Sequence, residues 1–245
     1  MAKQSGLGQR LYVGGWDISG DVGAIDTCAC PRGVLDVTAL DKSAQEAILA
    51  RSDGELSFSA FYNPAGAPAF TAEHGALSPL PTADVLMLWL MSTIAGDPAA
   101  ALSARQIDYA GTRGNDGSLG FKVQGKADAA PIEWGQVLTA KITAVGATAS
   151  QDNGASTASG IVCYLQLFTA TGAGPAVVTV EHSADNITFT TLATFASVAS
   201  PFTPQGQRIT ATGTVNRYLR ANVSGVTDAT YAVAVRRKMA QDDAN

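Results

Sequence analysis

Charged and chemically reactive side chains are scarce in this sequence of 245 residues. Asp, Glu, Lys and Arg make up 15% of the chain, with only two histidines and three cysteines. Because Asp and Glu outnumber Lys and Arg by 21 to 16, the net charge of -5 has the wrong sign for gripping a phosphate backbone. A nucleic-acid-binding role is therefore disfavoured, although an acidic surface still lets DNA pass without sticking.

The sequence contains three cysteines, Cys28, Cys30 and Cys163. An odd number in a chain of this size argues against a disulfide scaffold and suits a reducing compartment. Cys28 and Cys30 would face the same side of one strand, but no second pair at zinc-binding spacing accompanies them. We expect no metal and no cofactor.

Motifs for catalysis are also missing. His74 falls in a proline-rich loop and His182 in a predicted strand, and neither belongs to a pattern with a nucleophile or a metal ligand. The glycine-rich stretch 111–116 lacks the Gly-Lys-Ser/Thr of a phosphate-binding loop and is typical of a hairpin turn. We expect that the protein is not an enzyme.

Long hydrophobic segments are absent too. The most apolar run, residues 85–95, is shorter than the roughly 20 residues that a membrane-spanning helix needs. The first ten residues, "MAKQSGLGQR", contain no apolar segment of a secretory signal. We expect no membrane association, and a protein that stays in the compartment where it is made.

Hydrophobic residues at 46%, 25 glycines and short alternating segments favour an all-β fold. One exception is predicted at 41–51, where Ala44 and Ile48 recur at helical spacing and Ser43 with Glu46 matches a capping box. A helix this short is not stable alone in water, so its apolar face must pack against a sheet. The sequence thus predicts an all-β protein with one short flanking α-helix.

Two β domains are predicted. The first covers residues 1–143, and its proline-rich segment 63–82 is a candidate arm that reaches a neighbour. Residues 144–159, rich in Gly, Ala, Ser and Thr, are typical of a linker. Six short alternating segments then predict a β-sandwich at 160–238, followed by a tail at 239–245.

Five stretches within residues 8–140 share a recognisable pattern: "LYVGGWDISGDVGAID", "LDVTALDKSAQEAILARSDGELSFSAFYNP", "LSPLPTADVLML", "GDPAAALSARQIDYAGTRGNDGSLGFKVQ" and "IEWGQVLTA". Two later stretches, "EHSADNITFTTLATF" and "RYLRANVSG", show it more weakly. Together they resemble the major tail tube protein of long-tailed bacteriophages, particularly those of actinobacterial hosts.

The resemblance implies a tail-tube subunit of β-sandwich or barrel type, followed here by the additional C-terminal β-sandwich. Subunits would form hexameric rings that stack into a tube, the conduit for DNA ejection, around a tape-measure protein. The tail terminator and baseplate proteins would be further partners, DNA would pass without specific binding, and the chain would be assembled in the host cytoplasm into the virion.

Two sets of residues follow as hypotheses. The polar faces of the predicted strands would line the lumen of the tube, and the outer side of the helix together with the proline-rich loop would contact other subunits. The lumen set is Asp36, Glu55, Ser57, Ser59 and Asp108. The inter-subunit set is Lys42, Gln45, Glu46, Arg51, Pro64, Phe70, Leu77 and Leu80.

Alternatives remain open at this point. Another virion component, such as a capsid-decorating protein or a head-to-tail connector, would show similar composition. A carbohydrate-binding β-sandwich is a further alternative, because Trp16, Trp89 and Trp134 could form a sugar-stacking platform if they faced outward together.

Overall fold

The computed structural model describes residues 5–63 and 73–239, which fold almost entirely into antiparallel β-strands. The helix within these ranges, α1 (Glu73–Leu77), has five residues, and no helix there is long and apolar enough to cross a membrane. The predicted class, all-β with one short helix, is confirmed.

Eighteen strands make up the described chain. In chain order they are β1 (Arg10–Val13), β2 (Trp16–Asp17), β3 (Val22–Ala29), β4 (Arg32–Asp36), β5 (Ala47–Ser52), β6 (Glu55–Phe61), β7 (Val85–Leu90), β8 (Pro98–Arg113), β9 (Leu119–Ala127), β10 (Glu133–Thr143), β11 (Gly146–Ala147), β12 (Gln151–Asp152), β13 (Ile161–Thr171), β14 (Val177–Ser183), β15 (Thr190–Thr194), β16 (Gln205–Ala211), β17 (Tyr218–Ser224) and β18 (Asp228–Arg237).

The largest sheet runs in the order β16, β13, β18, β10, β8, β7, β1, β2 and curls until its two ends meet. The buried amide of Gln166, on β13, accepts a hydrogen bond from the Gly15 N–H at 2.6 Å and donates to the Leu86 carbonyl at 2.8 Å. Gly15 has a φ of +86°, and a Cβ there would lie 2.1 Å from the backbone nitrogen of Gln205. Only glycine permits this close approach.

Small side chains fill much of the inside of the curled sheet. Its core contains four buried alanines on the two strands that flank β10, alongside large residues such as Tyr12, Leu88 and Tyr164. The alanines are Ala99, Ala101, Ala232 and Ala234. A tightly curved sheet leaves little interior space, so alternating small and large residues are needed to fill it.

A second sheet of β11, β12, β17, β14 and β15 packs on the outer side of β13 and β18. Leu165 and Val233 from the large sheet meet Val180 and Leu219 from the smaller one in a fully buried core. The six strands predicted for the C-terminal sandwich are all present. Their face-to-face packing is that of a β-sandwich.

Strand pairing crosses the predicted domain boundary. β10 pairs with β8 on one side and with β18 on the other, so residues from 1–143 and from 160–238 share one sheet. Residues 144–159, which we predicted as a linker, contain β11 and β12, and both pair with β17. Each of the two strands has only two residues, and their pairing uses the backbone N–H and C=O groups that any residue supplies.

On the opposite flank, β3, β6, β9 and the second half of β8 form a four-stranded layer. Its inner face packs Leu56, Phe58 and Val123 against Met87 and Leu102 of the large sheet. Leu77 of α1 closes this core at 1% exposure, and the side-chain amide of Gln106 donates to the Leu77 carbonyl at 2.7 Å.

The helix predicted at 41–51 is wrong. β4 and β5 instead form a separate hairpin, and Ala44 and Ile48 are exposed rather than packed on a sheet. The N–H of Glu46, assigned to a capping box with Ser43, donates its hydrogen bond to the Thr38 hydroxyl at 2.8 Å. The helical spacing of Ala44 and Ile48 was coincidental, because cross-strand pairing overrides weak local helix preference.

A buried ion cluster ties three strands of the large sheet together. Arg208 on β16 binds both carboxylate oxygens of Glu133 at 2.6 and 2.9 Å, and Arg236 on β18 approaches at 3.3 Å. Burial by itself would raise the pKa of Glu133, but the hydrogen bonds and charges of the arginines hold that pKa below its usual value.

We predict that Glu133→Gln lowers the free energy of unfolding at neutral pH by about 3 kcal/mol, since it leaves two partly buried arginines without their carboxylate. The stabilisation is present above the unfolded-state pKa, about 4.3, and is lost as pH falls through the lower folded-state pKa. Denaturant unfolding of both proteins from pH 7 downwards should show the difference narrowing only in acid. Asp152→Asn, which breaks an exposed ion pair with Arg217, is the control and should change stability much less.

Candidate functional site

Polar side chains cover the outer face of the four-stranded layer. They belong to alternate positions of β6 and β9 and to their neighbours on β3 and β8. The face comprises Asp26, Glu55, Ser57, Ser59, Asp108, Lys122, Gln124 and Lys126. Since every second residue of a strand points to the same side, the buried set Leu56, Phe58 and Ala60 fixes this orientation.

Four of the five residues predicted to line a lumen lie together on this polar face, namely Glu55, Ser57, Ser59 and Asp108. Asp36 does not, because it belongs to the separate β4–β5 hairpin, where its carboxylate accepts hydrogen bonds from Thr38. That this face lines a lumen stays a prediction.

The polar face carries both signs of charge. Lys126 lies 2.7 Å from Glu55 and 3.2 Å from Asp53, and the amide of Gln124 donates to Glu55 at 2.6 Å. The hydrogen bond from Lys126, followed by that from Gln124, lowers the pKa of Glu55. Ser59 donates to Asp26 at 2.6 Å. Neighbouring charges thus neutralise each other, and the face is polar rather than uniformly acidic.

Both ends of the four-stranded layer are open edges within the described ranges. β3 pairs only with β6, and residues 105–113 of β8 pair only with β9. An unpaired edge presents a row of backbone N–H and C=O groups that can bond a strand from another chain. The layer can therefore be extended at both sides.

The hairpin of residues 32–52, here called the apolar ribbon, projects with its large side chains exposed. Leu35 and Ile48 are each 53% exposed, while Val34 and Leu49 are 63% and 64% exposed. The register pairs Val34 with Leu49 and Leu35 with Ile48, so apolar pairs lie on both faces of the ribbon. A soluble protein rarely exposes so many clustered apolar residues unless they contact a partner.

The predicted inter-subunit residues fall in three places. Lys42, Gln45, Glu46 and Arg51 lie on the apolar ribbon, where Lys42 and Glu46 form an ion pair at 3.2 Å. Leu80 is partly exposed, whereas Leu77 is buried in the core and its side chain is not at the surface. Pro64 and Phe70 lie outside the described residues.

His74, dismissed as a catalytic candidate, belongs to α1 and packs in an aromatic cluster. Its Nδ1 lies 2.9 Å from the Tyr109 hydroxyl, and Tyr109 stacks on Phe121 with ring centroids 4.4 Å apart. Tyr62 contacts the His74 ring edge-on. In the described ranges no three His, Cys, Asp or Glu side chains are placed to hold a metal, and burial raises the pKa of the Cys28 thiol to about 11.

Sequence reasoning missed the apolar ribbon and the open edges. A signal for the ribbon was present, because Val34, Leu35, Ile48 and Leu49 form adjacent apolar pairs rather than an alternating pattern. Adjacent apolar residues in a strand indicate that both faces are covered. The open edges had no signal, since pairing partners are set by the tertiary fold.

Comparisons with known proteins give distant structural matches only. No family model matches the chain, and no curated protein matches it. The structure of the Dit protein (gp 19.1) of phage SPP1, described as a hub adsorption apparatus of phages infecting Gram-positive bacteria, aligns with a TM-score of 0.32 and 10% identity over 94% of this chain and 99% of that one.

Two structures of the phage p2 baseplate in its activated conformation, with Sr and with Ca, align with TM-scores of 0.36 and 0.35. Identity is 8%, and the alignments cover 94% of this chain and 98% of those chains. At TM-scores this low the likeness carries no argument about this chain.

We predict that the apolar ribbon contributes little to the stability of a single subunit. Leu35→Ser and Ile48→Ser should each change the free energy of unfolding by no more than about 0.5 kcal/mol, because both side chains are already in water. Leu56→Ala, in the buried core, is the control and should cost about 2–5 kcal/mol. Comparable losses in all three variants would show that the ribbon packs on its own subunit.

Proposed function

We propose that this chain is a structural protein of a bacteriophage tail and, more specifically, the major tail tube subunit, with no catalytic role. The observation that carries the proposal is the four-stranded layer, which is polar on its outer face and has no strand partner at either edge among residues 5–63 and 73–239. The sequence resemblance of residues 8–140 to tail tube proteins supports the same role.

The open edges support a ring. If β3 of one subunit pairs with residues 105–113 of the next, the four-stranded layers join into one continuous sheet. A ring that closes on itself leaves no edge exposed, which removes the tendency of open strands to aggregate. A head-to-tail contact of this kind closes into a ring when the rotation between subunits divides a full turn. We propose hexameric rings, as the resemblance implies.

The polar face supports a lumen. When the layers join, their buried faces remain against each subunit's own core, so the inner wall of the ring takes the polar faces. Hydrogen-bonded and mutually neutralised side chains, such as Glu55 with Lys126, leave no cluster of free cations to hold phosphates. DNA would therefore slide through without specific binding, after the tape-measure protein has left.

The apolar ribbon supports stacking. Both of its faces are apolar, and a lone two-stranded hairpin is only marginally stable in water, so burial between neighbouring subunits would stabilise it. Its charged loop residues Lys42 and Glu46 would lie at the rim of that contact. The tail terminator and the baseplate would cap the tube at its ends, assembly would occur in the host cytoplasm, and the product would be part of the virion.

Assembly should depend on the apolar ribbon. We predict that the purified wild-type chain forms hollow tubes or stacked rings in electron microscopy, and that the double variant Leu35→Asp, Ile48→Asp stays as folded subunits or single rings because charged groups cannot be buried between subunits. Ile187→Asp, an exposed apolar residue on a loop of the C-terminal sandwich, is the matched control and should assemble normally. Tubes of normal length from the double variant would contradict a role of the apolar ribbon in stacking. A wild-type chain that stays monomeric would favour another virion component over the tube subunit.

DNA passage should depend on the polar face. Glu55→Lys with Ser57→Lys would turn a neutralised patch into a cationic one and should slow DNA ejection from reconstituted phage, with a larger effect at low salt. The charge-matched control is Asp228→Lys with Ser224→Lys, at exposed positions of the C-terminal sandwich. Unchanged ejection, with the two substituted side chains found on the outside of the tube, would contradict the lumen assignment.

A further inference from the structure

A polar cleft of about 550 Å³ lies where β10, β12 and the end of β18 meet. It contains none of the residues of the polar face or of the apolar ribbon. Trp134 and Gln136 come from β10, Asp152 and Asn153 from β12 and the residue after it, and Arg237 from β18. The proposed tube uses neither this cleft nor its residues.

Trp134 gives the cleft an exposed aromatic surface, since its side chain is 51% exposed. The other two tryptophans differ, because Trp16 and Trp89 pack against the core beneath the four-stranded layer and Trp89 donates to Gln9 at 3.2 Å. A three-tryptophan platform is therefore not formed. A half-exposed indole at the wall of a cleft offers a flat surface on which a ring with an apolar face can stack.

Backbone and side-chain contacts hold the amide groups of the cleft in place. Asn153 donates to the Arg217 carbonyl at 3.0 Å, and Gln136 donates to the Asn153 side-chain oxygen. Both amide hydrogens of Asn153 are used, because the second one donates to the Gln151 carbonyl at 3.3 Å. The side-chain oxygens of Gln136 and Asn153 keep lone pairs that can accept hydrogen bonds from hydroxyls. Groups fixed in this way recognise hydroxyls without losing further side-chain entropy.

The charges in the cleft do not balance. Arg217 binds the carboxylate of Asp152 through two hydrogen bonds of 2.6 Å each, and the hydrogen bonding from Arg217 is the main reason that the pKa of Asp152 lies at about 2. Arg237 has no such partner, since it donates to the carbonyls of Asn153 and Ala155 and no carboxylate in residues 5–63 or 73–239 lies within ion-pair distance. One guanidinium charge is thus left for a ligand.

We propose that this cleft binds a saccharide that carries an anionic group, with the sugar ring on the Trp134 indole, its hydroxyls on the Gln136 and Asn153 amides, and its carboxylate or phosphate facing Arg237. A neutral sugar would use the first two contacts only. The anionic group adds a charge-assisted hydrogen bond, which is stronger than a neutral one. The ligand class therefore follows from the aromatic surface and the unbalanced charge together.

Binding can be measured by isothermal titration calorimetry on the full chain with three probes. They are an α-1,4-linked galacturonate trisaccharide, which carries carboxylates, glucose 6-phosphate, and neutral maltotriose. We expect one of the acidic probes to bind better than maltotriose at millimolar concentration, and the two acidic probes separate carboxylate from phosphate. Trp134→Ala should weaken binding about tenfold, the size of one stacking contact, while Trp134→Phe should retain most of it.

Arg237→Gln should remove the preference for the acidic probe and leave maltotriose binding unchanged, and Arg237→Lys should restore part of that preference. Thermal unfolding of each variant confirms that the fold is intact. Ile107→Ala, at an exposed position of the four-stranded layer that does not line the cleft, is the control and should bind as the wild type does. Absence of binding by all three probes, or an unaffected Trp134→Ala variant, would overturn the saccharide site. Equal binding of acidic and neutral probes would overturn the role of Arg237.

Discussion

The contact of Gln166 with the turn between β1 and β2 closes the large sheet, and the remaining architecture depends on that closure. The amide is completely buried, and from β13 it bonds both the Gly15 N–H and the Leu86 carbonyl at the opposite end of the sheet. The Leu86 carbonyl also accepts from the Gly14 N–H at 3.0 Å, but the Gly15 N–H would otherwise be buried without a partner, which is costly. Gly15 supplies the space for this approach and Gln166 supplies the bonds, so a large part of the fold is specified by two residues distant in sequence.

Closure of the large sheet also determines which part of β8 can pair within it. With 16 residues, β8 is longer than the curled sheet can use, and its first part alone pairs with β7 and β10. A bulge at Ile107 redirects the strand between Gln106, which turns inward to the Leu77 carbonyl, and Asp108, which turns to the polar face. One strand thus serves a closed core and an open layer, and the bulge separates the two roles.

Much of the strand content was predictable, because the alternation of apolar and polar residues in a segment such as 55–61 shows which side chains face the core. The same alternation found Glu55, Ser57, Ser59 and Asp108 on one face. Asp36 was placed with them wrongly, since nothing local shows that β4 belongs to a separate hairpin. Residues 144–159 resembled a linker because β11 and β12 have two residues each, too few to show an alternating side-chain pattern. The sequence could not show that Trp134 is exposed while Trp16 and Trp89 are packed, because exposure depends on the tertiary fold.

In the proposed tube, a subunit with open edges and an apolar ribbon would have to avoid binding other chains before it assembles. Charged side chains lie at both edges, with Asp26 on β3 and Arg105 on β8, and charges on edge strands oppose pairing with the wrong partner. Lys42 and Glu46 form an ion pair in the loop of the ribbon, so charged groups lie next to its apolar side chains. The net charge of -5 adds a general repulsion between free subunits. The proposed stacking would therefore have to bury enough apolar surface on both faces of the ribbon to outweigh that repulsion.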